Sequence, residues 1–122
     1  MRLIIRGRIP SLKNSKIMVC RGSRPVLLPS KSYQAWHEDA SYQLMAQRPT
    51  KGIKKCEIEM TFYFPDNRKA DLTNKAESVM DLLADCGIIT DDAWQVVCKL
   101  TLVSGGVDKN PRVEICLTSF SS

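Results

Sequence analysis

Asp71 stands at the head of an amphipathic stretch, and the pair Asp91-Asp92 follows about twenty residues later, just past Gly87. A helix that starts at Asp71, stops at that glycine and turns back would draw the three carboxylates toward one another. Carboxylates gathered in an otherwise basic chain repel one another unless a cation lies among them. Mg²⁺ suits such a set, because hard divalent cations take oxygen ligands and keep several waters. Arg68-Lys69, just upstream, add positive charge able to hold a phosphate. Carboxylates, Mg²⁺ and nearby cations together suit phosphodiester hydrolysis, in which the metal activates water and stabilises the departing oxygen.

Each residue also has an ordinary role. Asp71 in a first helical turn caps free N–H groups. Asp91-Asp92 alone suits an exposed turn, and Arg68-Lys69 suit a solvated loop. The functional weight lies in the arrangement: an acid at a helix start, an acid pair past the helix end, then a strand.

Residues 72–85 predict that helix. Leu72, Ala76, Val79, Met80 and Leu83 form its apolar side, with Asn74, Glu77, Ser78, Asp81 and Asp85 on the other. Ahead of it, residues 2–8 read as a strand ended by Pro10. Residues 16–20 and 25–28 suggest a small hairpin. Ser30 reads as the N-cap of a helix to about Gln47, with Tyr33, Trp36, Ala40 and Leu44 on one stripe. Cys56 to Phe64 alternates in the manner of a strand. Two more strands, 95–103 and 112–118, are predicted to be joined by a turn from Ser104-Gly105-Gly106 through Asn110-Pro111. The order is β-α-β-α-β-β, which predicts a single α+β domain over residues 1–122, one mixed sheet with two main helices packed on it.

Charge is uneven. Residues 1–60 hold 12 Lys/Arg against 4 Asp/Glu, and residues 61–122 hold 6 against 9, giving +8 and −3. A basic half joined to an acidic half suits a polyanion held by one part and processed by the other. Lys13, Asn14, Lys16, Arg21 and Arg24 make a basic loop region suited to phosphates. No apolar run is long enough to span a bilayer, and arginines interrupt the N-terminal apolar residues, so no signal peptide is expected. The 5 cysteines lack C-x-x-C spacing and read as buried free thiols in a reducing cytoplasm. His37, the single histidine, has no evident catalytic partner and reads as structural. Trp94 reads as packed at a turn.

Phe64-Pro65-Asp66, Asp71-Leu72-x-Asn74, Asp81-Leu82-Leu83, Gly87 and Asp91-Asp92-x-x-x-Val96 together resemble the RusA family of Holliday-junction resolvases. That family carries P-D…D-L-D-N…D-A-L…G…D-D at similar spacing. Pro10-Ser11-x-x-Asn14 and Pro29-Ser30-x-x-Tyr33 extend the likeness over most of the chain. The resemblance implies a small dimeric, Mg²⁺-dependent endonuclease that nicks four-way DNA junctions symmetrically, of a kind often encoded by prophages. It matches Asp71 to the family's first essential aspartate and Asp92 to its last.

Two positions depart from the pattern. Thr73 stands where the family has its second aspartate, and Glu77 stands where it has a lysine, while a lysine occurs at Lys75. Glu77 shares a stripe with Thr73 and Asp81 at i, i+4 spacing and offers a replacement carboxylate. It lies about 9 Å along the helix from Asp71 at 1.5 Å per residue, a reach that suits action through water or none.

The expectation is therefore a RusA-like endodeoxyribonuclease with Asp71, Asp92 and Glu77 as metal ligands. Asp91 would assist and Lys75 would supply positive charge; Lys13, Asn14, Lys16, Arg68, Lys69 and Asn74 would touch branched DNA. A two-fold junction calls for a homodimer. The alternatives are a branched-DNA binder without nuclease activity, favoured by the two departures, and a small RNA-binding domain, which lacks an evident aromatic platform.

Overall fold

The computed structural model describes residues 1–11, 16–21 and 24–120. Strand β1 (Arg2–Arg6) is followed by a hairpin of β2 (Lys16–Arg21) and β3 (Arg24–Pro29), helix α1 (Lys31–Ala46), strand β4 (Cys56–Phe64), helix α2 (Leu72–Asp85), and strands β5 (Val97–Val107) and β6 (Arg112–Ser119). The hairpin is a separate two-stranded sheet, and the other strands form a mixed sheet in the order β1-β6-β4-β5. β4 and β5 run parallel across the α2 crossover, while β6 is antiparallel to both β1 and β4. This is the expected α+β architecture with its two main helices.

β4 shows why alternation is a strand signal. Cys56, Ile58, Met60 and Phe62 are buried at 0–1% exposure, while the residues between them are not buried. They meet Leu3, Ile5, Val113, Ile115 and Leu117 from the neighbouring strands, and Val79, Leu82 and Leu83 from α2, in one core. α1 packs against β1, α2 against β5, and the helices touch each other. α1 also covers the outer edge of β1. Gln47 exchanges hydrogen bonds with the Ile4 N–H and C=O (2.8 and 2.6 Å), and Gln43 does the same for Arg6 (2.7 and 3.2 Å). Side-chain amides thus take the place of the missing strand and close one edge of the sheet.

The structure corrects several expectations. β1 ends at Arg6 because Gly7 (φ 103°) turns the chain, its N–H donating to Pro111 O at 2.8 Å. β5 and β6 are not a hairpin: they flank β4 on opposite sides. Ser104-Gly105-Gly106 is strand, and the turn falls at residues 108–111. The β4–β5 register passes from Phe62↔Ser104 to Tyr63↔Gly106, leaving Gly105 as the bulged residue. A Cβ at Gly105 would lie 2.5 Å from Tyr63 Cε1, so glycine there admits the Tyr63 ring rather than marking a turn. Ser78 is not on the polar side of α2 but 0% exposed. Of the cysteines, Cys56 is buried and Cys86 intermediate, but Cys98 and Cys116 are exposed, since they fall on outward positions of β5 and β6.

Candidate functional site

α2 is fixed at both ends by its own sequence. Asp71 is the N-cap, its Oδ1 accepting from Thr73 N at 3.0 Å and from the Thr73 hydroxyl at 2.6 Å. At the other end Gly87 (φ 73°) donates to Ala84 O at 3.0 Å and Ile88 donates to Leu83 O at 3.1 Å. That pair of bonds is the Schellman closure, with Leu83 and Ile88 both fully buried beneath it.

The chain then returns along the helix. Gly52 donates to Gly87 O (2.8 Å), Ile53 to Ile88 O (3.0 Å) and Thr90 to Ile53 O (3.0 Å), so the segment leaving α2 is held as a short bridge. Downstream, Val96 and Val97 donate to Ala93 O at 3.0 and 2.9 Å. Asp91 and Asp92 sit on the exposed loop between these anchors, and Asp91 Oδ1 accepts from Asp92 N at 2.8 Å.

This return brings Asp92 to a cleft of about 390 Å³ between α2 and β5, lined also by Thr73, Glu77, Asp81, Ala76, Met80, Leu100 and Leu102. The predicted stripe of Thr73, Glu77 and Asp81 therefore faces Asp92. Three carboxylates and a hydroxyl line the cleft, and among the described residues no lysine or arginine does. The donors are all oxygen, the type a hard divalent cation takes, but Glu77, Asp81 and Asp92 do not gather within the 4.8 Å that groups His37, Asp81 and Asp85. Asp71 is not a lining residue and reaches the cleft through its bond to Thr73.

Asp81 also touches a second group. Its Oδ2 accepts from the hydroxyl of buried Tyr33 at 2.8 Å. Burial, and then this hydrogen bond and the charge of Asp81, push the Tyr33 hydroxyl well above the usual phenol range. His37 Nε2 lies 2.8 Å from Asp85 Oδ2. Among the described residues, ligand atoms of His37, Asp81 and Asp85 lie within 4.8 Å of one another, a tighter group than Asp71, Glu77 and Asp92 form. Nothing near His37 in the sequence signals this group, because its acidic neighbour Asp85 comes from the other helix, 48 residues away.

The basic candidates lie elsewhere. Arg68 and Lys69 line a separate cleft with Arg8 and Lys75. Arg68 donates to Asp66 through its backbone N–H (3.0 Å), Nε (3.1 Å) and Nη2 (3.0 Å), and Arg8 reaches the same carboxylate at 3.0 Å. The Arg68 side-chain bonds first, then its backbone N–H, with the charges of Arg68 and Arg8 adding, hold Asp66 below the usual carboxylate range. Lys75 Nζ donates to Ile9 O at 2.7 Å, and Ser78 Oγ donates to Pro10 O at 2.6 Å, so successive turns of α2 grip the Ile9-Pro10 backbone. Burial first, and then repulsion from Arg8, lower the Lys75 ammonium below the usual lysine range. Lys75 thus has different neighbours from Asp92.

Asn74 lines neither cleft. Lys13 and Asn14 lie outside the described residues, and Lys16 is described only through its backbone pairing with Pro29. Trp94 is not packed at its turn but 78% exposed, two residues past Asp92.

No curated protein matches the chain. The family profile described as endodeoxyribonuclease RusA matches residues 10–118, which takes in both clefts apart from Arg8 and Ile9. With that match covering most of its 122 residues, the chain belongs to the RusA endodeoxyribonuclease family.

Proposed function

We propose that this protein resolves four-way DNA junctions by Mg²⁺-dependent hydrolysis of phosphodiesters. Its family is one of Holliday-junction resolvase nucleases, which act on branched DNA and generally use a divalent metal. The observation that carries the reading is the acidic cleft, which Glu77 and Asp81 of α2 line together with Asp92 and, among the described residues, no lysine or arginine.

In this reading Asp92 and Glu77 hold the metal, and Asp71 contributes through Thr73. Mg²⁺ would supply Lewis acidity at the phosphate and a more acidic water as nucleophile. Asp91 restrains the Asp92 backbone through their 2.8 Å bond and so fixes where the Asp92 carboxylate starts from. Met80, Leu100 and Leu102 form apolar walls that limit water around the reacting phosphate. Arg68, Lys69, Lys13 and Lys16 would neutralise strand phosphates away from the acids, and Asn14 and Asn74 would donate hydrogen bonds to the backbone.

A junction has two equivalent strands to cut, so the active form is a homodimer. β5 is an edge strand carrying the exposed apolar residues Leu100 and Val107, which suits it to a second copy. Among the described residues no helix is long and apolar enough to cross a membrane, and the proposed setting is the cytoplasm.

A second reading, a branched-DNA binder without nuclease activity, is favoured by Thr73, whose hydroxyl occupies Asp71 where the family has a second carboxylate. One gel separates the two: purified protein and a labelled four-way junction, with and without Mg²⁺. Paired nicks that require Mg²⁺ support the nuclease. A retarded junction that stays intact in Mg²⁺ supports the binder.

A further inference from the structure

We propose that His37, Asp81 and Asp85 form a separate cation site where α1 meets α2, taking a transition-metal ion of the Zn²⁺ class rather than Mg²⁺. The inference stands apart from the nuclease reading, since neither His37 nor Asp85 lines the acidic cleft.

Two pairs of residues face each other here in register. Tyr33 and His37 are one turn apart on α1, and Asp81 and Asp85 are one turn apart on α2. The Tyr33 hydroxyl donates to Asp81 Oδ2 at 2.8 Å, and His37 Nε2 lies 2.8 Å from Asp85 Oδ2. One ligand atom from each of His37, Asp81 and Asp85 lies within 4.8 Å of the others. Small side-chain rotations would bring all three to the about 2.0–2.2 Å that Zn²⁺ takes from nitrogen and oxygen. The recess around them holds about 280 Å³, and Tyr33, Gln34 and Glu38 also line it. Glu38 adds a third carboxylate, while among the described residues no lysine or arginine lines the recess.

The ligand atoms are not spent on outside partners. His37 Nε2 and Asp85 Oδ2 are bonded to each other, so a cation entering between them replaces the proton they share. Asp81 gives one oxygen to Tyr33 and keeps the other for the ion. Tyr33, only 3% exposed, holds that carboxylate from behind, the kind of outer partner that orients metal ligands. An ion pair alone would use His37 and Asp85. The oriented Asp81 supplies the third ligand, which with water completes a Zn²⁺ shell. The imidazole decides the class of ion: nitrogen beside carboxylates suits Zn²⁺ or Co²⁺, whereas Mg²⁺ takes oxygen. A bound ion would tie the two helices together.

Titration of the full chain with Co²⁺, in excess Mg²⁺ to fill any oxygen-only site, tests this. The wild type should take up one equivalent of Co²⁺, with the weak visible bands of nitrogen and oxygen coordination, and Zn²⁺ should displace it. His37→Gln and Asp85→Asn should each weaken binding by about tenfold or more. Asp85 has a side chain 54% exposed, so its replacement leaves the core undisturbed even if His37→Gln does not. Zn²⁺ should also raise the unfolding midpoint of the wild type and leave that of both variants in place. No Co²⁺ uptake, or uptake that persists unweakened in both variants, overturns the site. An intense near-ultraviolet band that survives in both variants also overturns it, by placing the ion on cysteine. Failure of the nuclease reading looks different: no nicking in Mg²⁺, whatever the protein does with Co²⁺.

Discussion

The Thr73 hydroxyl donates to Asp71 Oδ1 at 2.6 Å, while the Thr73 N–H donates to the same oxygen at 3.0 Å. One carboxylate oxygen thus takes two hydrogen bonds from a single residue two positions on. The arrangement caps α2 and ties Asp71 to a residue that lines the acidic cleft. Thr73 is the lining residue that links Asp71 to the acidic cleft, so its identity sets how much negative charge that cleft carries.

Replacing Thr73 with aspartate removes the hydroxyl donor and adds a carboxylate at the lining position. Mg²⁺ or Mn²⁺ should then bind more tightly, by about tenfold or more for an added charged ligand. Junction cleavage at limiting metal should rise in parallel. Calorimetric titration with Mn²⁺, alongside cleavage measured against metal concentration, checks this. Equal or weaker metal binding in Thr73→Asp would remove the cleft as the metal's seat.

Asp92 faces Glu77 and Asp81 from an exposed loop, so its side chain contributes little to the core. Asp92→Asn should lower cleavage more than about 100-fold. Four-way DNA binding without metal should hold or tighten slightly, since one negative charge is gone. The same outcome is expected of Asp71→Asn, whose amide oxygen can still accept from Thr73 N and cap α2. Rates and affinities measured on one junction test the split between chemistry and binding. A protein that nicks at the wild-type rate without Asp92 would need another active centre.

Ser78 shows how a polar residue in an amphipathic helix can be structural. It is 0% exposed and its hydroxyl donates to Pro10 O at 2.6 Å. Ser78→Ala leaves that carbonyl without its hydroxyl partner and should destabilise the fold by about 1–3 kcal/mol. Urea denaturation gives the number directly.

How far the sequence foretells this structure depends on the range of each interaction. α2 is legible to the residue because its cap at Asp71 and its stop at Gly87 are local, and β4 because burial alternates along it. The acidic cleft is legible in part: the i, i+4 stripe places Thr73, Glu77 and Asp81 together. The pairing of β5 and β6 with β4 is not legible. Two adjacent glycines signal a turn equally well, and only the Tyr63 ring, a residue on another strand, explains Gly105. Ser78, Lys75 and His37 escape local reasoning for the same cause. Their partners, Pro10, Ile9 and Asp85, come from distant parts of the chain, and periodicity within one helix says nothing about them.

The sheet also carries an acid-sensitive clamp. Glu114 of β6 accepts from Arg2 of β1 and from Arg112 Nε at 2.8 Å, and Arg112 lies 3.9 Å from the centre of the Tyr63 ring. The hydrogen bonds from Arg2 and then Arg112 hold the Glu114 carboxyl below the ordinary value of 4.5. A carboxylate with a depressed folded-state pKa stabilises the fold above its unfolded pKa, and that contribution fades as pH falls through the folded value. Wild type should therefore be more resistant to urea than Glu114→Gln near neutral pH, and the gap should close below about pH 4.5. Paired denaturation midpoints down to about pH 2.5 test this. A gap that stays constant as the carboxylates protonate would mean that Glu114 acts through packing rather than charge.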